Sequence, residues 1–217
     1  MTQLLTSRIG ALALAAMLAA PGVAAAQESS VILVGGLNIA KLSLPFPDLD
    51  FEDIELTIDN RTRLGFAGGV LVDVNAARRA GFTLGALYSQ RGGKIRAAVF
   101  GFGVGTVDFK MEYLEVPLLA RVGVGGDKPA VSVLAGGMIG IPLRARTIFS
   151  SFGFDEDASF TDALPDVDFG VTIGARADVG RGNLTAWYTH GLTDLTKGLS
   201  PDPVKHRVFT MLAGWRF

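Results

Sequence analysis

The chain has 217 residues, 20 Lys or Arg against 21 Asp or Glu, a net charge of −1 and no cysteine. The near-neutral balance argues against nucleic acid as a partner, since binding phosphates needs a basic surface. The missing cysteine excludes a disulfide framework and a lipid anchor, which is attached through one.

Residues 1–26 read as a cleavable signal peptide. Arg8 supplies the positive start, an Ala-rich apolar run follows, and Pro21-Gly22 breaks it. Ala24 and Ala26 give the small-residue pattern before a cut between Ala26 and Gln27. The alternative is an uncleaved anchor, which the Pro-Gly break opposes. The remainder, 27–217, has the length of one domain. Its glycines sit inside alternating segments such as "VILVGGLNIA" and "LAGGMIGI". Helices tolerate such glycines poorly, while curved sheets use them.

Eight segments with a period of two follow, at about 30–41, 61–73, 78–91, 107–124, 129–143, 166–179, 183–193 and 205–217. In the third, Phe82, Leu84, Ala86 and Tyr88 oppose Thr83, Gly85, Leu87 and Ser89. In the fourth, Leu114, Val116, Leu118, Ala120, Val122 and Val124 oppose Tyr113, Glu115, Pro117, Leu119, Arg121 and Gly123. The sixth alternates Val167, Phe169, Val171, Ile173, Ala175, Ala177 and Val179 with Asp166, Asp168, Gly170, Thr172, Gly174, Arg176 and Asp178. The eighth carries Phe209, Met211, Ala213, Trp215 and Phe217 on one face and runs to the C-terminus.

Short connections ("VNAA", "GGDKP", "GRG") alternate with longer ones at about 42–60, 92–106, 144–165 and 194–204. Short turns at one end and long loops at the other are the layout of an outer-membrane barrel. An even strand count puts both termini on the periplasmic side. One face of each strand is nearly free of charge, as lipid requires. The other mixes Arg, Asp, Glu, Thr and many glycines, as a narrow lumen requires. Tyr88, Trp215 and Phe217 fall at strand ends, where aromatic girdles sit. The expected fold is therefore all-β, an eight-stranded antiparallel up-and-down transmembrane β-barrel, in the outer membrane of a Gram-negative bacterium. Its last strand must pair with its first, because an open edge in lipid leaves amides unsatisfied.

Several stretches resemble the outer-membrane beta-barrel domain family often labelled PorT-like. "FTLGALYSQRGGKI" (82–95) is similar to that family's third strand and "YLEVPLLARV" (113–122) to its fourth. "GLTDL" (191–195) and the terminal "GWRF" also fit. The resemblance implies an integral outer-membrane barrel without a cofactor and without a shared catalytic constellation. The C-terminal aromatic also resembles the sorting signal read by the barrel-assembly machinery, which assigns Trp215 and Phe217 as an assembly signal.

In the lumen, Arg63 and Glu115 each lie about nine residues above the periplasmic end of their strands, which predicts a mid-lumen ion pair. Arg121, Arg176, Asp178 and Arg216 are expected to form a second polar layer nearer the periplasmic end. Eight strands leave an interior only wide enough for side chains, so no open pore is expected. The two histidines, His190 and His206, flank the last long connection. By parity His190 faces lipid and His206 the lumen, and no serine lies within two residues of either. Both read as interfacial residues near headgroups.

The first long connection carries Asp48, Asp50, Glu52, Asp53, Glu55 and Asp59. The third carries Asp155, Glu156, Asp157 and Asp162. Neither has the ligand spacing of an EF-hand, and both read as solvated acidic loops. Apolar residues interleave the first, from Leu44 to Leu56, and part of it could extend a strand. Segments 42–60 and 144–165 are the candidate surfaces for a protein partner, beside outer-membrane lipids. The expected role is structural or interactive, not enzymatic. Two rivals are a lipid-modifying barrel enzyme built on the histidines, and a soluble periplasmic barrel around an apolar ligand.

Overall fold

The period of two becomes a closed sheet in a computed structural model, which describes residues 29–43, 56–75, 79–99, 102–125, 130–151, 154–196 and 203–217. The elements are β1 (Ser30–Ser43), β2 (Leu56–Arg61), β3 (Arg63–Val74), β4 (Ala80–Val99), β5 (Phe102–Val124), β6 (Val131–Ser151), β7 (Phe154–Ser159), β8 (Asp168–Val179), β9 (Gly182–Gly191) and β10 (Lys205–Arg216). A single 3₁₀ turn, Thr161–Ala163, lies between β7 and β8.

Every pairing is antiparallel. β1 pairs with β3, and the chain of partners continues β3–β4, β4–β5, β5–β6, β6–β8, β8–β9 and β9–β10. β10 returns to β1, from Ile32 opposite Arg216 to Ser43 opposite Lys205. Eight strands therefore form an up-and-down ring with no open edge. The Phe217 N–H donates to the Val31 carbonyl at 2.9 Å, so the ladder holds the chain to its last residue. No helix among the described residues is long and apolar enough to cross a membrane, and strands supply the crossing instead.

The faces follow the alternation. On β8, Phe169, Val171 and Ile173 are exposed, while Asp168, Thr172 and Arg176 are buried. On β10, Phe209, Met211 and Trp215 are exposed, as is Phe217 just after it, while His206, Val208, Thr210 and Leu212 are buried. Leu33, Leu37, Phe66, Phe82, Leu118, Val133 and Leu184 extend the exposed apolar band around the ring. A soluble barrel would show polar groups there, so the band is the surface for lipid.

The connecting turn "GRG" is a two-residue hairpin. Val179 opposes Gly182, and Gly180 takes φ +60°, which a type II′ turn requires at its first central position. At the other end the strands are longer than their alternation predicts. The loops expected at 92–106 and 144–165 are largely ladder: β4 runs to Val99, β5 starts at Phe102, and β6 runs to Ser151. β2 extends along β4 and β7 along β6. These projecting hairpins lie beyond the apolar band and have no lipid face, so their backbone pairs without writing a period of two into the sequence. Residues 1–28 and 44–55 lie outside the described residues, and with them the leader and most of the first acidic loop.

The interior is layered. Ile32, Leu71, Leu87, Leu119, Leu134 and Trp187, each from a different strand, meet in an apolar plug across the middle. Gly174 lies opposite Trp187 in the β8–β9 ladder, and a Cβ there would collide with the Ala186 carbonyl oxygen and the Trp187 Cβ. Buried polar layers lie on both sides of this plug.

Candidate functional site

The layer nearer the tight turns is built around Asp73 of β3. Arg176 Nη1 donates to both carboxylate oxygens of Asp73, at 2.8 and 2.7 Å, and the Thr83 hydroxyl donates to one at 2.7 Å. Arg176 Nε donates to the Thr185 hydroxyl at 3.1 Å. Arg216 Nη2 donates to Asp178 at 2.8 Å and lies 3.6 Å from Asp73. Two guanidinium groups thus meet two carboxylates. Arg121 is buried nearby and donates to the Asn75 carbonyl at 3.0 Å.

The second layer lies on the far side of the plug. Arg91 of β4 forms an ion pair with Glu115 of β5 at 2.6 Å, and its Nη1 lies 3.7 Å from Asp168 of β8. His206 of β10 completes it. Its Nε2 is 2.6 Å from Arg91 Nη1, and its Nδ1 is 3.1 Å from Asp168. A guanidinium can only donate, so Nε2 accepts and Nδ1 carries the proton. The Arg91 guanidinium stacks 5.1 Å from the Tyr113 ring centroid. In this arrangement Nε2 is engaged by Arg91 and not set to take a proton from a nucleophile.

Above this layer, Leu42, Met111, Tyr113, Leu164, Leu195 and Val204 form a second apolar cluster. Phe109 and Phe160 pack against it edge to face, with ring centroids 6.1 Å apart. They border a cavity of about 230 Å³ whose lining is almost wholly apolar.

The mid-lumen pair expected between Arg63 and Glu115 does not form. Arg63 Nε donates to Asp108 at 3.0 Å, and Glu115 takes Arg91. The reason is stagger. Glu115 opposes Leu87, which opposes Gly69, so its hydrogen-bonded row crosses β3 at Gly69, not at Arg63. Six residues of strand amount to about 20 Å, more than either side chain spans. Counting from strand ends ignores that shear. The middle of the lumen is apolar instead, with charge on either side of it.

The structure brings Arg176, Asp178 and Arg216 together around Asp73, which parity alone had not singled out. Asp73 shares the inward face of β3 with Leu71 and Ala67, so an inward carboxylate beside a turn was a legible signal. Arg91 was hidden because it falls where alternation fades into "RGGK". His206 is not an interfacial residue. It is buried in the lumen, while His190 lies on the outer face of β9. Trp215 and Phe217 are exposed at the tight-turn end, and Tyr88 lies on the outer face of β4.

An exposed apolar band around a closed ring of eight strands decides the class. Residues 25–197 match the family described as the outer membrane protein beta-barrel domain. The chain belongs to this family. Among solved structures it is similar to Ail, the attachment invasion locus protein of Yersinia pestis, in complex with the heparin analogue sucrose octasulfate. That match has 18% identity, covers 88% of this chain and 99% of that one, and has a TM-score of 0.47. It is also similar to Neisserial surface protein A (16% identity, 88% and 98% covered, TM-score 0.42). A third is OprG from Pseudomonas aeruginosa (16% identity, 88% and 97% covered, TM-score 0.35). No curated protein matches the chain.

Proposed function

We propose that this outer-membrane barrel is a closed, membrane-anchored scaffold with a structural or interaction role, presenting its long hairpins and acidic loops at the cell surface. The observation that carries this reading is the apolar plug across the lumen. Trp187 is 1% exposed within it, and Leu71, Leu87, Leu119 and Leu134 are fully buried. Water and ions have no polar route past such a layer. The projecting hairpins of β4–β5 and β6–β7 then offer the surface for a protein partner, with segments 42–60 and 144–165 as its contacts. Export through the leader 1–26, reading of Trp215 and Phe217 by the assembly machinery, and the narrower PorT-like placement belong to the same proposal.

The test is conductance. Protein refolded into a planar bilayer should give no large, stable current. A steady open channel would overturn the closed-scaffold reading.

The mouth cavity favours a second reading, reception of a small apolar molecule at the outer end. A dry cavity of roughly 150 Å³ lined by apolar side chains already holds benzene in another protein. Filling the cavity with Ala163→Phe should abolish saturable toluene binding by the refolded protein. Equal binding by the variant would remove this reading.

A further inference from the structure

Three rows of the sheet place two basic residues directly opposite each other near the end bearing the long hairpins. They are Arg61 with Lys94, Lys110 with Arg146, and Lys41 with Arg207. Like charges facing across a ladder destabilise it. In two rows the chain supplies a carboxylate: Lys94 lies 3.7 Å from Asp108, and Arg146 lies 3.5 Å from Asp157. In the third row it does not. Lys41 and Arg207 are both exposed, and among the described residues neither has a carboxylate within ion-pair distance. The row continues to His190 on β9, opposite Arg207, and Lys205 stands one step further out on β10.

The position of this row matters more than its charge. One step toward the membrane centre, Ile39, Phe209 and Tyr188 stand opposite one another on the same three strands, each 39% exposed. Leu37 and Met211 follow below them. Two residues of strand span about 7 Å. The basic row therefore lies one residue pair above the last apolar and aromatic row, at the level where lipid phosphates meet the hydrocarbon boundary. Arg207 can grip a phosphate with two parallel N–H bonds while Lys41 supplies a point charge.

We propose that Lys41, Arg207 and His190 form a binding site on the outer wall for the phosphate headgroup of an anionic membrane lipid. The lipid is a ligand with a defined seat here, not only a solvent: its phosphate offsets the repulsion between Lys41 and Arg207, and its chains lie along Ile39, Phe209 and Tyr188. The proposal rests on the reading of the apolar band as the membrane surface.

The test uses the chain from residue 27 to 217, refolded into uncharged maltoside micelles and into phosphatidylcholine nanodiscs with and without phosphatidic acid. Retained lipid is counted by native mass spectrometry, and thermal midpoints are read in each medium. The wild type should retain phosphatidic acid, and the Lys41→Gln/Arg207→Gln variant should bind it about fivefold more weakly for each charge removed. Arg181→Gln, exposed at the opposite end, is the control and should match the wild type. The sign of the stability change is the sharper readout. Lys41→Gln alone should raise the midpoint in micelles, where it only relieves repulsion, and lower it in nanodiscs with phosphatidic acid. Equal lipid retention by wild type and variants, or a lower midpoint in both media, overturns the proposal. Inorganic phosphate that stabilises the wild type in micelles as well as phosphatidic acid does in nanodiscs would assign a free-anion site and overturn the lipid. A dimer that forms without phosphatidic acid and is lost in the variant would assign the row to a second copy, which also overturns it. A wild type that will not enter bilayers would sink the membrane reading and this proposal together. Insertion with indifference to phosphatidic acid sinks this proposal alone.

Discussion

The two polar layers of the lumen contain the same kinds of residue and are built differently. Around Asp73, Arg176 and Arg216 meet Asp73 and Asp178, the two shortest ion pairs are also aligned hydrogen bonds, and hydroxyls from Thr83 and Thr185 fill further positions, while Arg216 also stands 3.6 Å from Asp73. Around Arg91, two carboxylates share one guanidinium. Arg91 meets Glu115 at 2.6 Å, but its Nη1 stands 3.7 Å from Asp168, beyond hydrogen-bond reach. Buried polar networks hold a structure more firmly the more of their members are paired at short, aligned distances. The Asp73 layer is therefore a lock near the tight turns, and the Arg91 layer is a looser seam under the mouth. That contrast fits the placement of the apolar cavity and the projecting hairpins, which lie on the seam's side.

The largest expected effect comes from breaking the lock. Asp73→Asn leaves Arg176 fully buried and without a counter-charge, which costs about 3–5 kcal/mol. Urea unfolding in lipid vesicles, followed by heat-modifiable gel mobility, should show this loss. A change below about 1 kcal/mol would mean that water reaches Arg176 and that the lock is not dry.

Between the two layers, packing should decide. A Cβ on Gly174 would press into the Ala186 carbonyl and the Cβ of Trp187, whereas Ala175 points outward and is exposed. Gly174→Leu should cost at least the roughly 1–3 kcal/mol of an overpacked core. Ala175→Leu should be close to neutral in lipid. The reverse order would mean that the plug, and with it the separation of the two layers, is wrongly placed.

A smaller effect is expected from the seam. Asp168→Asn removes one of two carboxylates that share Arg91, and the Arg91 contact it gives up is 3.7 Å long. The same urea measurement should place this variant within about 1 kcal/mol of the wild type. A loss as large as that of Asp73→Asn would erase the distinction between lock and seam.

How much of this was legible follows from where the alternation has a physical cause. Lipid on one side and a crowded lumen on the other impose a period of two, so the ring of eight strands and the outward face of Phe209, Met211 and Trp215 could be read directly. The hairpins beyond the band have no such contrast between faces. Lys94, Arg96 and Lys110 sit there in regular ladder without announcing it, and the strands were read too short. Charges in the lumen were legible as a set but not as pairs. Parity tells which way Arg63 and Glu115 point; only the register across β3, β4 and β5 tells that Arg63 belongs with Asp108. His206 shows the same limit. Its inward direction was countable, while its seat between Arg91 and Asp168 depends on β4 and β8, which are distant in sequence.

A comparably small thermodynamic effect is expected at the far end of the lock side, and it separates folding from assembly. Phe217 is 75% exposed, beyond the last paired residue Arg216, and its one ladder contribution is the N–H bond to Val31. Removing it deletes a single bond at a fraying strand end and one rim aromatic. In detergent micelles that should cost about 0.5–1.5 kcal/mol, with the Arg216 to Asp178 pair still closing the ring. In cells the proposed assembly-signal role makes the same deletion lower the yield of folded barrel much further, while the lock stays intact. Comparing refolded yield in micelles with heat-modifiable protein in outer-membrane fractions measures the two separately. Equal losses in both settings would make Phe217 a structural residue of the tight-turn end and remove it from the assembly signal.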